Sequence, residues 1–354
     1  METTTQPLQP VPHPASSAEL AASYDKLTAA IGSLLDSGMQ VSQIGQLMAA
    51  AHDRLVARLL VEAEAELGPP PCTYAWLALG SAARREQTLH TDQDNALVYA
   101  DPLPGSIQTT RPEIERYFSA LSERTVERLA ACGFPRCPGD VMATNRQWRQ
   151  PLRVWQGYFQ RWIMLPDAEA LLRVSIFFDY RQIHGSLDAE AALRPTVLRA
   201  RDEHTFLAYL AHTAIRQPAP IGLFGRVILD RDGDRRPALD LKRNGSALIV
   251  DLARLFALRA GSSAVGTLDR LRDAAEGGSL SPAGAAKLGQ AFEWINALRL
   301  RYQCDRCQRS EPADNRVPIA WLGPQDRRAL KEALRVVARI QRSVVFMYQT
   351  AWFG

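Results

Sequence analysis

The stretch from Leu77 to Asp101, LALGSAARREQTLHTDQDNALVYAD, constrains this chain more than any other. The apolar run Tyr74 to Leu79 suits a buried strand, and it ends in Gly80-Ser81. A short polar, helix-like segment follows, Ala82 to Leu89. Asp92 and Asp94 then lead into a second apolar run, Ala96 to Tyr99. Residues i and i+2 of a strand share a face, so the two carboxylates are expected side by side with Gln93 turned away. Charges held that close repel, and divalent cations between them are the natural resolution.

Composition bounds the rest. A chain of 354 residues with 46% hydrophobic content can bury a large core in two or three domains. Net charge is only +4, from 42 basic and 38 acidic residues, so a nucleic-acid partner is not expected. Arginine far outnumbers lysine, which fits phosphate handling and fits a compositional bias equally well. The N-terminus METTTQPLQP lacks the basic and apolar regions of a signal peptide. No apolar run approaches the ~20 residues of a membrane span. Five irregularly spaced cysteines complete the picture of a reduced, cytoplasmic, soluble protein.

Along the chain, residues 1–16 are rich in Thr, Pro and Gln and read as a disordered tail. Ser16-x-x-Glu19 is a capping box for a first helix, and a second helix is expected from about Val41 to Leu67, closed by Gly68-Pro69-Pro70-Pro71. This hairpin, residues 17–68, could carry a signal or dimerise, or simply pack on its neighbour. A helix is expected from about Pro112 to Cys132. An extended segment, Pro135 to Asn145, and a helix from Leu171 to Ile183 follow. Trp148, Trp155, Phe159 and Trp162 read as core. The runs FGRVILD and PALDLK flank Asp232-Gly233 and predict a β-hairpin near 222–242. The remainder reads as helical. Cys304-x-x-Cys307 lacks a second pair for structural zinc, and the acidic run at 230–234 has its glycine misplaced for a calcium loop. His90 is the one histidine near the acidic pair.

A strand turning at Gly80-Ser81 into a helix offers backbone N–H groups as a phosphate cradle. Arg84 and Arg85, in that helix's first turn, oppose its dipole at about 0.3–1 kcal/mol each unless a polyphosphate is bound. For Arg85 plain surface exposure remains equally open. Glu86 could orient Arg84, Thr91 could cap the turn, and Lys242 and Arg243 could meet phosphates or simply be solvated. Cradle, short helix and Asp-x-Asp, in this order, are what two-metal nucleotidyl transfer needs. A nucleoside triphosphate and two Mg²⁺ ions are the implied ligands.

The segment GSAARREQTLHTDQDNALVY resembles the signature of nucleotidyltransferases of the DNA polymerase β superfamily. It is similar above all to a bacterial group of signalling nucleotidyltransferases, often fused to CBS-domain pairs or cyclic-nucleotide modules. That group is related to the PII uridylyltransferase and the glutamine-synthetase adenylyltransferase. Similarity continues through CGFPRCPGDVMATN, FFDYRQIHG, LDLKRNGSALIVDLARLFAL and RRALKEALRVVARIQ. Two departures stand out: Ala83 replaces a usual glycine, and no CBS or cyclic-nucleotide module precedes the catalytic part, so sensing would come from elsewhere.

The resemblance implies an α+β fold: a polymerase β-like core of a small mixed sheet with helices, residues 69–190. N-terminal helices precede it, and a mainly helical region, 191–354, follows. It implies magnesium-dependent transfer of a nucleoside monophosphate from ATP or UTP to an acceptor hydroxyl, such as a protein tyrosine, in signalling or nitrogen and metabolic regulation. Asp92 and Asp94 would ligate metal. A third carboxylate is needed from a later strand: Asp140 in PGDVMATN first, Asp179 in FFDYR second. Gly80, Ser81, Arg84, Arg85 and Lys242 would meet the nucleotide. The rival readings are a catalytically silent nucleotide-binding regulator and an antitoxin-like, partner-binding protein.

Overall fold

A computed structural model describes residues 16–89, 91–101, 110–222, 225–230, 237–312 and 314–348. The fold is α+β. Helix α1 (Ser17–Asp36) opens on the expected capping box, with Ser16 and Glu19 bonding each other's backbone. It pairs with α2 (Val41–Leu67). The expected tail, most of residues 1–16, lies outside the described residues, as does His90.

Four strands form the central sheet: β1 (Tyr74–Leu79), β2 (Asn95–Tyr99), β3 (Arg149–Pro151) and β4 (Tyr180–His184). Their order is β3-β2-β1-β4, with β2–β3 parallel and the other pairs antiparallel. Every residue of β1 and β2 is buried, because both faces are covered. Tyr74, Trp76, Leu97 and Tyr99 face α2 and α4 (Arg111–Ala131). Ala75, Leu77, Leu79, Ala96 and Val98 face the larger core. There α5 (Leu152–Met164) and α6 (Ala168–Phe177) supply Trp155, Phe159, Trp162 and Phe177, which pack with Trp148. A two-sided core explains why the strands read as continuous apolar runs rather than alternating ones.

The chain continues through α7 (Ala189–Leu198), α8 (His204–Arg216), α9 (Ala247–Ala260), α10 (Thr267–Glu276), α11 (Pro282–Gln308) and α12 (Pro324–Tyr348). Among the described residues, no helix is long and apolar enough to cross a membrane.

Three local expectations change. The helix expected over Leu171 to Ile183 ends at Phe177, and Tyr180–His184 instead forms the sheet's edge strand against β1. Short FFDYRQIH has too little length for periodicity to separate the two states, and the open edge of β1 decides. Residues 135–145 form no strand. Gln93 makes one bridge to Arg136, and the strand after α4 is β3. Near 222–242, among the described residues, the two expected strands meet in one bridge, Asp230 with Ala238, while Val227 bridges back to Ile221; the expected tip lies outside the described residues. The regular partner of β5 (Ala238–Asp240) is β6 (Arg316–Pro318), a long-range pairing that local turn signals cannot reveal.

Candidate active site

Antiparallel pairing of β1 with β2 sets the end of one strand beside the start of the other. Leu79 N–H donates to the Asp94 carbonyl at 3.0 Å, which brings Gly80-Ser81 against the acidic pair. Gly80 has φ +54°, and a Cβ there would lie 3.3 Å from Asp94 Oδ2. Only glycine takes that backbone region freely beside a carboxylate. Gly80→Ala is therefore expected to cost about 1–2 kcal/mol from backbone strain and to displace Asp94. The urea midpoint of the variant should fall, and a wild-type value would refute this role.

Asp92 and Asp94 flank Gln93 with the expected alternation. The Gln93 side chain is buried and donates to the carbonyls of Val126 at 3.1 Å and Phe134 at 2.8 Å, away from the site. Asp92, Asp94 and Cys137 each offer a ligand atom, all within 4.8 Å of one another. Burial, then the charge of Asp92, pushes the Asp94 carboxyl up to about 6, against the Cys137 thiol hydrogen bond and the positive charges of Lys242 and Arg84. Burial pushes the Cys137 thiol up to about 11.

Asp92 and Asp94 border a cleft of about 340 Å³. Gly80, Ser81, Arg84, Glu86, Asp92 and Asp94 line it from the sheet side, and Lys242, Ser246, Asp251, Arg254, Asn296 and Arg299 from the C-terminal helices. Of the residues expected from the sequence, the structure brings Gly80, Ser81, Arg84, Asp92, Asp94 and Lys242 to this one cleft.

Arg85 and Asp140 are not among its lining residues. Arg85 is exposed and left-handed, at φ 59°, where it caps the five-residue helix α3 (Gly80–Arg84). Its carbonyl abuts α2, where a Cβ on Gly45 would sit 2.5 Å away. Asp140 is exposed, at φ 53°, in a turn closed by its N–H to the Cys137 carbonyl at 3.0 Å. Its carboxylate accepts from Asn145 Nδ2 at 2.8 Å. The expectation of Asp140 as the third carboxylate is thus corrected: Pro138-Gly139 makes a turn, and the thiol of Cys137 approaches the acidic pair in its place.

Asp179, the second candidate, is fully buried and ion-paired with Arg84 at 2.5 Å, Arg254 at 2.6 Å and Arg270 at 2.6 Å. It is a structural hub rather than a lining residue. Its carbonyl also takes the Gly80 N–H at 2.9 Å, so the cradle expected at Gly80-Ser81 has one donor fewer. Arg84 sits at the end of α3, not its start, and Glu86 holds it at 2.6 Å, as expected. Thr91 accepts from Thr88 N–H at 3.3 Å and returns a bond to the Thr88 carbonyl at 2.8 Å, fixing the approach to Asp92.

Sequence reasoning missed Cys137, Ser246, Arg254, Asn296 and Arg299. A signal existed for Arg254: it is a lone basic residue in ALIVDLARLFAL, and a charge in an apolar helix needs a buried partner. Nothing local marked Arg299.

Two family models match the chain. One, described as "Putative nucleotidyltransferase DUF294", covers residues 25–169. The other, "Putative nucleotidyltransferase substrate binding domain", covers residues 204–348. The bifunctional glutamine synthetase adenylyltransferase/adenylyl-removing enzymes of Mycobacterium bovis and Mycobacterium tuberculosis are 25% identical to it over 293 residues, 78% of this chain. The chain spans 26% of the length of those relatives. With both halves matched by paired models and the cleft lying between them, the chain belongs to the nucleotidyltransferase family that those models describe.

Proposed function

We propose that the chain transfers a nucleoside monophosphate from a nucleoside triphosphate to an acceptor hydroxyl, with magnesium, and that the acceptor is a protein in a signalling or metabolic control step. The observation that carries this is the adjacency of Asp92 and Asp94 to Gly80-Ser81 on one wall of a nucleotide-sized cleft. The donor set fits a hard divalent ion: two carboxylates within reach of each other, one of them pushed to about 6 by burial and its neighbour's charge. Asp92 and Asp94 would hold magnesium, which when bound offsets the charge on the phosphates and favours the ionised acceptor oxygen.

The chain's own residues do the rest. Ser81 borders the cleft beside the pair and offers a hydroxyl donor to phosphate. Arg84 is neutralised by Glu86 and Asp179, so it holds the short helix in place rather than clamping a ligand. In the transfer, the acceptor oxygen bonds to the α-phosphorus, the bridge to the β-phosphate breaks and pyrophosphate leaves. The hydroxyl proton passes to a cleft carboxylate. The test is incubation with labelled nucleotides, magnesium and a cell lysate. Labelled macromolecule and released pyrophosphate, both absent in the Asp92→Asn/Asp94→Asn variant, are expected. A folded wild-type chain that yields neither removes the enzymatic reading.

One observation favours a second reading, the silent nucleotide-binding regulator. Among the described residues, the third ligand-bearing group within reach of the pair is the Cys137 thiol, not a carboxylate. That reading predicts magnesium-nucleotide binding without pyrophosphate release.

The raised Asp94 value sets a pH dependence. Below about pH 6 the carboxyl carries a proton that a cation must displace; above it the ionised pair is ready. Magnesium-nucleotide affinity is expected to rise from about pH 5 and level off by about pH 8. Calorimetric titrations across that range check it, and a flat profile contradicts it.

A further inference from the structure

Arg84 and Arg254 border the cleft but have carboxylate partners. Arg84 pairs with Glu86 and Asp179, and Arg254 with Asp179 and Asp251. Arg299 is different. It lies on α11, borders the cleft and is 6% exposed. Its hydrogen-bond acceptors are all neutral: Asn296 Oδ1 at 2.6 Å, Ser246 Oγ at 3.1 Å, and Asn315 Oδ1 at 2.9 and 3.2 Å. Among the described residues, no carboxylate lies within ion-pair distance of it. Burial pushes its guanidinium down to about 10, and the more distant carboxylates of Asp240 and Glu86 offset this only in part. A buried cation of this kind is costly unless an anion completes it.

The backbone brings this charge to the cleft deliberately. Residues Lys242–Ser246 form a wide π-helical turn, closed by Ser246 N–H to the Leu241 carbonyl at 3.0 Å. Such turns recur at functional sites. Gly245 lets the turn rest on α11, since a Cβ there would lie 3.0 Å from Ile295 Cγ2, one turn before Arg299. That contact seats Ser246 on the guanidinium. Ser246 Oγ accepts from Arg299, so its hydroxyl proton remains available to donate. Lys242, exposed at the start of the same turn, also borders the cleft, and its charge reaches Asp94.

The cleft therefore carries Asp92 and Asp94, with the Arg84-paired Glu86, on the sheet side. Arg299, Ser246 and Lys242, with the Arg254-paired Asp251, lie on the helical side, around apolar walls from Ile176, Val250 and Phe292. A ligand that suits both ends carries metal-binding phosphate at one and further negative charge at the other. We infer that Arg299, Ser246 and Lys242 form a receptor for the terminal phosphates of the donor, able to take an inorganic polyphosphate without metal or base. The inference rests on the nucleotidyl-transfer reading and adds a direction to it. The α-phosphate faces Asp92 and Asp94, and the departing pyrophosphate is held by the C-terminal helices.

The test is calorimetric titration of the full chain with inorganic tripolyphosphate in chelator-treated, metal-free buffer. Wild type is expected to bind. Arg299→Met is expected to weaken binding roughly tenfold or more, the worth of a charge-assisted hydrogen bond. Arg299→Lys should recover part of it, because charge returns without the planar fork. Asp92→Asn/Asp94→Asn should bind at least as well as wild type. Should circular dichroism find Arg299→Met misfolded, Ser246→Ala and exposed Lys242→Ala carry the test, each expected to weaken binding severalfold. Three results overturn the inference: no tripolyphosphate binding by wild type, binding unchanged in the folded variants, or inorganic phosphate binding as tightly as tripolyphosphate. The last would mean a receptor for a single anionic group on the acceptor. Tripolyphosphate binding that depends on Arg299, in a chain with no transferase activity, would sink the transfer reading and leave the receptor standing. Transfer with unchanged polyphosphate binding would do the reverse.

Discussion

Asp179→Asn is expected to cost about 3–5 kcal/mol of folding stability, as breaking a buried ion cluster from one side does. The carboxylate has no solvent exposure and receives three guanidinium groups, those of Arg84, Arg254 and Arg270. Asparagine keeps the shape, so packing loss is not the cause; three cations lose their shared counter-charge. Burial alone would raise this carboxyl, but the charges of Arg254, Arg270 and Arg84 hold it well below the usual carboxylate range. A depressed carboxylate contributes its stability above the unfolded value, near 4, and loses it only as pH falls through the folded one. The penalty should therefore be present in full at neutral pH. It should also reach the site, because Arg84 ends the helix that begins at Gly80, and the Asp179 carbonyl holds the Gly80 N–H. Urea unfolding of the variant measures it, and a loss below about 1 kcal/mol would show that the cluster does not tie the sheet to the C-terminal helices.

The second large effect has two signs. On the proposed reading, Asp92→Asn/Asp94→Asn is expected to lower transfer by roughly 10³-fold or more, since several kcal/mol of charge stabilisation at the phosphates would depend on the pair. The single variant Asp94→Asn is expected to stabilise the metal-free fold at about pH 8, by about 2–3 kcal/mol. The reason is the Asp94 carboxyl, raised to about 6 by burial and by Asp92. A carboxylate raised on folding favours the fold while protonated and weighs against it once pH passes the unfolded and then the folded value. Asparagine removes that cost. Melting curves in chelator should move up for the variant at about pH 8 and converge on wild type at about pH 4, while pyrophosphate release is lost. A variant that keeps transferring, or that melts lower at both pH values, would show that the pair neither serves the reaction nor opposes the fold.

Much of this molecule was legible along the chain. The helix over Val41–Leu67, the strands at Tyr74–Leu79 and Asn95–Tyr99 and the capping box at Ser16 follow from periodicity, breakers and side-chain hydrogen bonding over a few residues. So does the side-by-side placement of Asp92 and Asp94, because strand alternation is local and Gln93 buries itself on the opposite face. Asp140 shows where that reach ends. Its neighbours Pro138-Gly139 suited a turn or an extended run equally, and the turn carries its carboxylate to Asn145 while leaving Cys137 beside the pair.

What sequence alone determined was therefore the interior pattern of each element and the acidic pair with its glycine, since both are written in neighbours a few residues apart. Tertiary structure alone decided that Tyr180–His184 is a strand, that Asp179 anchors three arginines, and that Arg299 meets Ser246 across 53 residues. The physical reason is that the cost of an unpaired strand edge or an uncompensated buried charge is settled by whichever group arrives in space, and the order of residues does not state which one will.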